Sequence, residues 1–322
     1  MRPRRHVAIL GATATGKTAL AIDVAETLRC SVKASLKSSV SPRDLEILSF
    51  DSVQFYRELA IGSARPSDEQ LRRVKHHFVA QQSVLEEMTA GRFASEAQEL
   101  MAKASASVEF IIVGGSGFYW QALERGVPNV PASTPASRAQ IEAHVAAMGL
   151  EAAYAELLLR DAETAKRIHP HDQYRIVRAL EILATLPEQE TWSALRARHE
   201  RAEPQITLRA KVGLELSRED LERQVAQRTS QMLAQGLLTE VRDLLAQGVS
   251  EAGPLASVGY REAVLALREG WSESQLHEAI CQSTLRLAKK QRTWFQRDPE
   301  IQWFDAKRDM PRAREVLLKA FA

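Results

Sequence analysis

Eight residues constrain this chain more than any others: Gly11-Ala12-Thr13-Ala14-Thr15-Gly16-Lys17-Thr18. They fit the pattern G-x-x-x-x-G-K-[ST], in which glycines let the backbone curl so that successive N–H groups point at a phosphate. The flanking sequence meets the motif's structural condition. The run from His6 to Leu10 is apolar and reads as a buried strand, and Leu20, Ala21, Val24 and Leu28 then recur at helical spacing. A helix starting there turns its positive end toward the anion. Lys17 supplies a mobile charge for the terminal phosphate, and the Thr18 hydroxyl can hold Mg²⁺. A chance match on a surface turn would lack this strand and helix. The turn specifies a polyphosphate, and ATP and a diphosphate ester fit it equally.

The remaining pattern sets the fold class. LEILSF (45–50) and VEFIIV (108–113) read as further buried strands, the second running into Gly114-Gly115-Ser116-Gly117 and a helix through Leu123. Strands alternating with helices predict an α/β fold with a parallel sheet. Residues 31–43, rich in serine and lysine, read as an exposed excursion. Three prolines in 127–135 read as a linker, and 137–201 as helical, with breaks at Gly149 and Pro170. Residues 206–216 alternate as a strand again, and amphipathic helices closed by Gly236, Gly248 and Gly270 follow. The expected organisation is a core from 1–126 and 205–322, interrupted by an all-helical insertion at 127–204.

Composition removes other classes. Among 322 residues, 45% are hydrophobic and 26% charged, which excludes a disordered chain, a collagen and a coiled-coil rod. The net charge of +2 argues against a uniformly basic nucleic-acid coat. Cys30 and Cys281 form no Cys-x-x-Cys pair, so neither a zinc ribbon nor a disulfide framework is expected. The apolar run behind the basic start is too short for export. No stretch of 18 apolar residues occurs. These features predict a cytoplasmic protein with no membrane span.

Asp51 follows the second strand, and ligands of open parallel sheets sit at the carboxyl ends of strands, so it faces the crevice of Lys17. It could hold Mg²⁺ in phosphoryl transfer, take a proton as a general base, or simply cap a helix. The glycines beside Ser116 serve either a site or a tight strand-to-helix turn. RLAKKQRTWFQR (286–297) has five basic side chains and no acid, leaving the rest of the chain at −3. Such a segment can bind phosphates, with Trp294 or Phe295 stacking on bases, or be a solvated helix face. Arg175 and Arg178 project together opposite Ile176, Leu180 and Leu183, and His76-His77 lack companion ligands. Both pairs read as structural from spacing alone.

Taken in order, GATATGKT, DSVQFYRELAIGSARPS, VKHHF, IIVGGSGFYWQAL, DQYRIVRALEIL, SVGYRE and LRLAKKQRTWFQRD resemble the bacterial tRNA dimethylallyltransferases, also called tRNA isopentenyltransferases. The resemblance runs from residue 9 to about 298. It implies a P-loop NTPase-like core related to nucleoside-phosphate kinases, turned to prenyl transfer. The family moves a dimethylallyl group from its diphosphate to N6 of the adenosine 3′ to the anticodon, in tRNAs reading codons that begin with U. By that resemblance the loop residues Gly11, Ala12, Thr13, Ala14, Thr15, Gly16, Lys17 and Thr18 hold the diphosphate with Mg²⁺. Asp51, Lys17 and Thr13 carry the chemistry, with Asp51 as the base. Asp51, Ser52, Val53, Gln54 and Ser116 meet the flipped-out adenosine. Arg138, Tyr174, Arg175, Ile176, Val177, Arg178, Lys289, Lys290 and Gln291 contact the tRNA anticodon stem-loop. A monomer is expected.

This chain departs from the family pattern in places. The 31–43 excursion is longer than usual, Lys75 replaces a proline, and Gln224 stands where an Arg precedes Val225 and Arg228. Arg223 or Arg218 would then substitute for that Arg. Three other functions compete with the resemblance. A small-molecule P-loop kinase leaves the basic segment without a task, and prenyl transfer to free AMP or ADP needs no insertion. A non-catalytic RNA-binding protein would give no product.

Overall fold

The structure is a computed structural model that describes residues 6–34, 44–105, 107–128, 130, 134–251 and 253–321. The basic start and residues 35–43 of the serine-rich excursion lie outside the described residues. Residues 31–34 correct the sequence reading, because they prolong the helix Lys17–Ala34.

The chain forms two compact units, Met1–Glu124 with Ile206–Ala322, and Arg125–Gln205. The first is built on six strands: β1 (His6–Gly11), β2 (Asp44–Ser49), β3 (His76–His77), β4 (Val108–Val113), β5 (Leu208–Glu215) and β6 (Ile301–Asp305). Every neighbouring pair is parallel, in the order β3-β2-β4-β1-β5-β6. β1 and β4 are buried along their whole length, the state expected of central strands covered on both faces. Alternate β1 residues serve opposite cores. Ala8 and Leu10 join Phe50, Phe110 and Tyr260, while Val7 and Ile9 join Leu20, Val24 and Leu317. Helices therefore cover both faces, and the loops at the strands' carboxyl ends converge on one edge.

Gly11 explains why the phosphate turn begins where it does. Its φ is +133°, and a Cβ there would lie 2.3 Å from the Leu214 carbonyl oxygen of the neighbouring β5. Only glycine lets β1 and β5 approach at the point where the chain leaves the sheet. His77 and Lys75 sit at the sheet edge, where both engage Glu46, His77 at 2.5 Å and Lys75 at 3.0 Å.

The second unit contains the helices Pro135–Met148, Leu150–Arg160, Ala162–Ala165, Gln173–Thr185 and Trp192–Glu200. Val145, Ala153, Leu157, Ile176, Val177 and Leu180 form its core. Asp161 interrupts the helical run and is buried. Its carboxylate accepts hydrogen bonds from the Thr164 N–H and hydroxyl and from the Ser193 N–H, at 2.7–3.0 Å. Burial raises its pKa, but those hydrogen bonds outweigh burial and hold it below the usual carboxylate value. No described helix is long and apolar enough to cross a membrane.

Candidate active site

Two cavities open at the carboxyl edge of the sheet. The first, about 600 Å³, is lined by residues 13–19 of the phosphate turn together with Gln54, Arg65, Gln70 and His76. The second, about 490 Å³, is lined by Ser52, Val53, Ser116, Tyr119, Met232, Ile280 and Leu287 and is more apolar. Thr13, Asp51, Gly115, Arg228 and Gln291 line both. These five residues form the wall where the cavities meet.

The phosphate turn is held from three sides. The Thr13 N–H donates to Gln291 Oε1 at 2.8 Å, and Arg228 Nη1 donates to the Thr13 hydroxyl at 3.2 Å. Below the turn, Lys17 Nζ and the Thr15 hydroxyl both donate to the Ala12 carbonyl. Gly11 and Ala12 line neither cavity, and Ala12 is buried at the base of the turn. Gln291, expected as an RNA contact, lines the second cavity and also pins the turn to the helix Glu273–Phe295. The Thr18 hydroxyl has no protein hydrogen-bond partner among the described residues and lines the first cavity.

Electrostatics concentrate at the shared wall. Burial pulls the Lys17 ammonium down to about 8, opposed by the Asp51 charge and assisted by Arg228. Burial also weighs against the Arg228 guanidinium, with Asp51 favouring its charge. Lys17 and Arg228 against the single carboxylate of Asp51 leave this wall net positive, which favours an anionic ligand.

Asp51 sits in a turn, which settles its helix-cap reading. Its Oδ1 accepts from the Val53 N–H at 3.0 Å and the Gln54 N–H at 3.4 Å, but no helix starts there. Oδ2 has no protein partner among the described residues. The same turn splits its neighbours, with Ser52 and Val53 lining the second cavity and Gln54 the first. The Ser116 hydroxyl lies 3.3 Å from that of Ser52 and accepts from the Ser52 N–H at 3.2 Å, fixing the segment. The adjacent glycines are needed for close packing: a Cβ on Gly115 would lie 2.7 Å from the Gln291 side chain, and one on Gly117 2.4 Å from Trp294.

The basic helix shows distinct faces. Leu287, Lys290, Gln291 and Trp294 line the second cavity, while Arg286 and Lys289 point elsewhere and are exposed. Arg292 is held by Glu215 at 3.0 Å, whereas Lys289 and Lys290 have no carboxylate partner among the described residues. Phe295 is buried, which leaves Trp294 as the aromatic that can meet a ligand. In the helical unit, Tyr174 is exposed, Arg138 pairs with Glu142, Arg175 with Asp172 and Arg178 with Glu181. Ile176 and Val177 are buried in that unit's core, so their side chains offer nothing to an RNA.

Sequence reasoning missed Arg65, Gln70 and His76 in the first cavity and Phe118, Tyr119 and Met232 in the second. Arg65, His76, Phe118 and Tyr119 lie inside runs that carry the resemblance but had no role assigned there, and Gln70 and Met232 lie outside those runs. The Arg expected to substitute at the Gln224 position is not found in either cavity. Arg218 pairs with Glu222 and Arg223 with Asp220, while Gln224, Gln227 and Gln231 line the first cavity beside Arg228. The acids Glu124, Asp298 and Glu300 cluster at metal-ligand spacing, but Lys211 Nζ contacts all three at 2.5–2.8 Å and already supplies their cation.

A parallel sheet carrying this turn, with an acid at the next strand end and two joined cavities, defines a P-loop NTPase-like protein. A family model for IPP transferase matches residues 54–298. A tRNA dimethylallyltransferase from Bdellovibrio bacteriovorus is 37% identical over 321 residues, covering 98% of either chain. The chain belongs to the IPP transferase family, a family of transferases. Its fold is similar to that of a tRNA isopentenylpyrophosphate transferase from Bacillus halodurans (TM-score 0.66, 24% identity, 99% of this chain and 98% of that one). It is also similar in fold to a eukaryotic dimethylallyltransferase solved acting on tRNA (TM-score 0.73, 21% identity, 94% of this chain and 74% of that one).

Proposed function

We propose that this chain transfers the dimethylallyl group of dimethylallyl diphosphate to N6 of the adenosine 3′ to the anticodon, in tRNAs reading codons that begin with U. One observation carries the reading: the phosphate turn and the more apolar cavity share a wall, and Asp51 stands in it. The diphosphate lies against residues 13–18, and the adenine, turned out of its stack, enters the second cavity. Its exocyclic nitrogen then meets the allylic carbon at Asp51.

The step balances with these groups alone. The bond from the allylic carbon to the diphosphate oxygen breaks, and its electron pair leaves with the diphosphate. The N6 lone pair forms the new carbon–nitrogen bond, and Asp51 Oδ2 takes the proton that N6 loses. The amine is a weak nucleophile because its lone pair is delocalised into the ring, so removing that proton lowers the barrier. Lys17, Arg228 and the N–H groups of the turn stabilise charge building on the leaving group. The unpartnered Thr18 hydroxyl fits Mg²⁺ beside a diphosphate; the ion would supply further neutralisation of the leaving group.

Lys289, Lys290, Arg138, Tyr174, Arg175 and Arg178 serve as RNA contacts, and the domains divide as core 1–126 and 205–322 with the insertion 127–204. We assign a monomer working in the cytoplasm, where tRNA is modified. A kinase or an AMP prenyltransferase would leave Lys290 and Trp294 at the second cavity without a ligand. The test is diphosphate release from dimethylallyl diphosphate. Release that requires an unmodified anticodon stem-loop, and that neither AMP nor ATP supports, is expected. Release with AMP alone, or phosphate transfer from ATP, refutes the reading.

A further inference from the structure

The mouth of the second cavity carries a feature that the transfer step does not use. Phe118, in the first turn of the helix Gly117–Arg125, is 60% exposed although it lines the cavity. Trp294 lines the same cavity from the helix Glu273–Phe295 and is 38% exposed. Trp294 packs on the start of the Phe118 helix: a Cβ on Gly117, the residue before Phe118, would lie 2.4 Å from Trp294 Cδ1. Lys290, one turn before Trp294, lines the cavity without a carboxylate partner among the described residues. A lone exposed Phe is ordinary. Leu85 is more exposed and lines neither cavity. Two aromatics and an unpaired lysine at one cavity mouth form a different arrangement.

We infer that Phe118 and Trp294 are a stacking platform for the RNA base adjoining the acceptor adenosine, with Lys290 meeting the phosphate between the two nucleotides. The inference rests on the RNA reading of the second cavity. Extruding one adenine breaks its stacking with both neighbours, and an unstacked base in a single-stranded loop gains most from an aromatic face. The platform replaces the lost partner where the strand turns into the cavity. It acts on positioning, because neither ring lies in the wall shared with the phosphate turn. Polar side chains would dissolve as well there but would offer no such face.

Anticodon stem-loops with 2-aminopurine on the 5′ or the 3′ side of the acceptor test this directly. Wild-type protein should quench one of the two probes on binding. Phe118→Ala and Trp294→Leu should each remove most of that quench and raise KM for RNA by about tenfold, in the range of one lost base–aromatic stack. KM for dimethylallyl diphosphate should stay within about twofold, and Phe118→Tyr and Trp294→Phe should restore the quench. Quenching unchanged in both truncated variants, or no quench of either probe in a wild-type complex that forms product, overturns the platform. A quench that depends on Phe118 and Trp294, in a protein that makes no prenylated product, upholds the platform and refutes the transferase reading.

Discussion

Oδ1 of Asp51 accepts two backbone N–H groups, and that turn holds the carboxylate still in the wall that the two cavities share. Asp51→Asn keeps an acceptor for the turn and removes the base. It should lower kcat by about 10²–10⁴ in single-turnover assays and leave diphosphate affinity nearly unchanged. Equal losses in both would mean that Asp51 only shapes the turn. Lys17 gives a second expectation. Its ammonium titrates near 8 in the free protein, and a bound diphosphate favours the charged form. The complex therefore binds more protons than the free protein above that value. Diphosphate affinity should fall as pH rises through 8, and calorimetry in buffers of different ionisation enthalpy should detect proton uptake near pH 8.5. Lys17→Met should abolish that uptake.

Between elements, Gln291 is the contact that matters most, because it joins the helix Glu273–Phe295 to the Thr13 N–H at the far end of the sequence. Gln291→Ala leaves that N–H without its partner and loosens the turn. Diphosphate affinity should drop by about 5–30-fold, with a stability loss of about 1–2 kcal/mol in urea unfolding. An unchanged affinity would show that the turn holds its shape alone. Gln291 also marks how far the sequence could be read. The phosphate turn, four of the six strands and the acid at Asp51 were legible because each depends on neighbours in the chain: an apolar run, a glycine, a helical period; the short β3 and β6 carry no such run. The shared wall was not, since it joins residues 13, 51, 115, 228 and 291 through tertiary packing. The resemblance named Gln291 as an RNA contact, and only the fold shows its amide on the turn. Ile176 and Val177 show the same limit: a motif gives a run of positions, and only the fold shows that these two side chains are buried in their unit's core.

Over the whole molecule, a net charge of +2 conceals a local concentration of cations on one helix. Their pairing ranks their use. Lys289 and Lys290 are free of carboxylates among the described residues, whereas Arg292 is committed to Glu215. The double substitution Lys289→Gln and Lys290→Gln should flatten the salt dependence of stem-loop binding by about 1–2 in the log–log slope, and Arg292→Gln should change it little. A slope unchanged by the lysine pair would move the RNA off this helix.

The most direct test of prenyl transfer is mass spectrometry of nucleosides, after incubating the purified protein with dimethylallyl diphosphate, Mg²⁺ and tRNA from cells lacking the modification. N6-dimethylallyladenosine should appear in the digest with wild type and fall to trace levels with Asp51→Asn. Unmodified adenosine alone from a folded wild-type protein that binds both substrates, or full product from Asp51→Asn, would contradict the account.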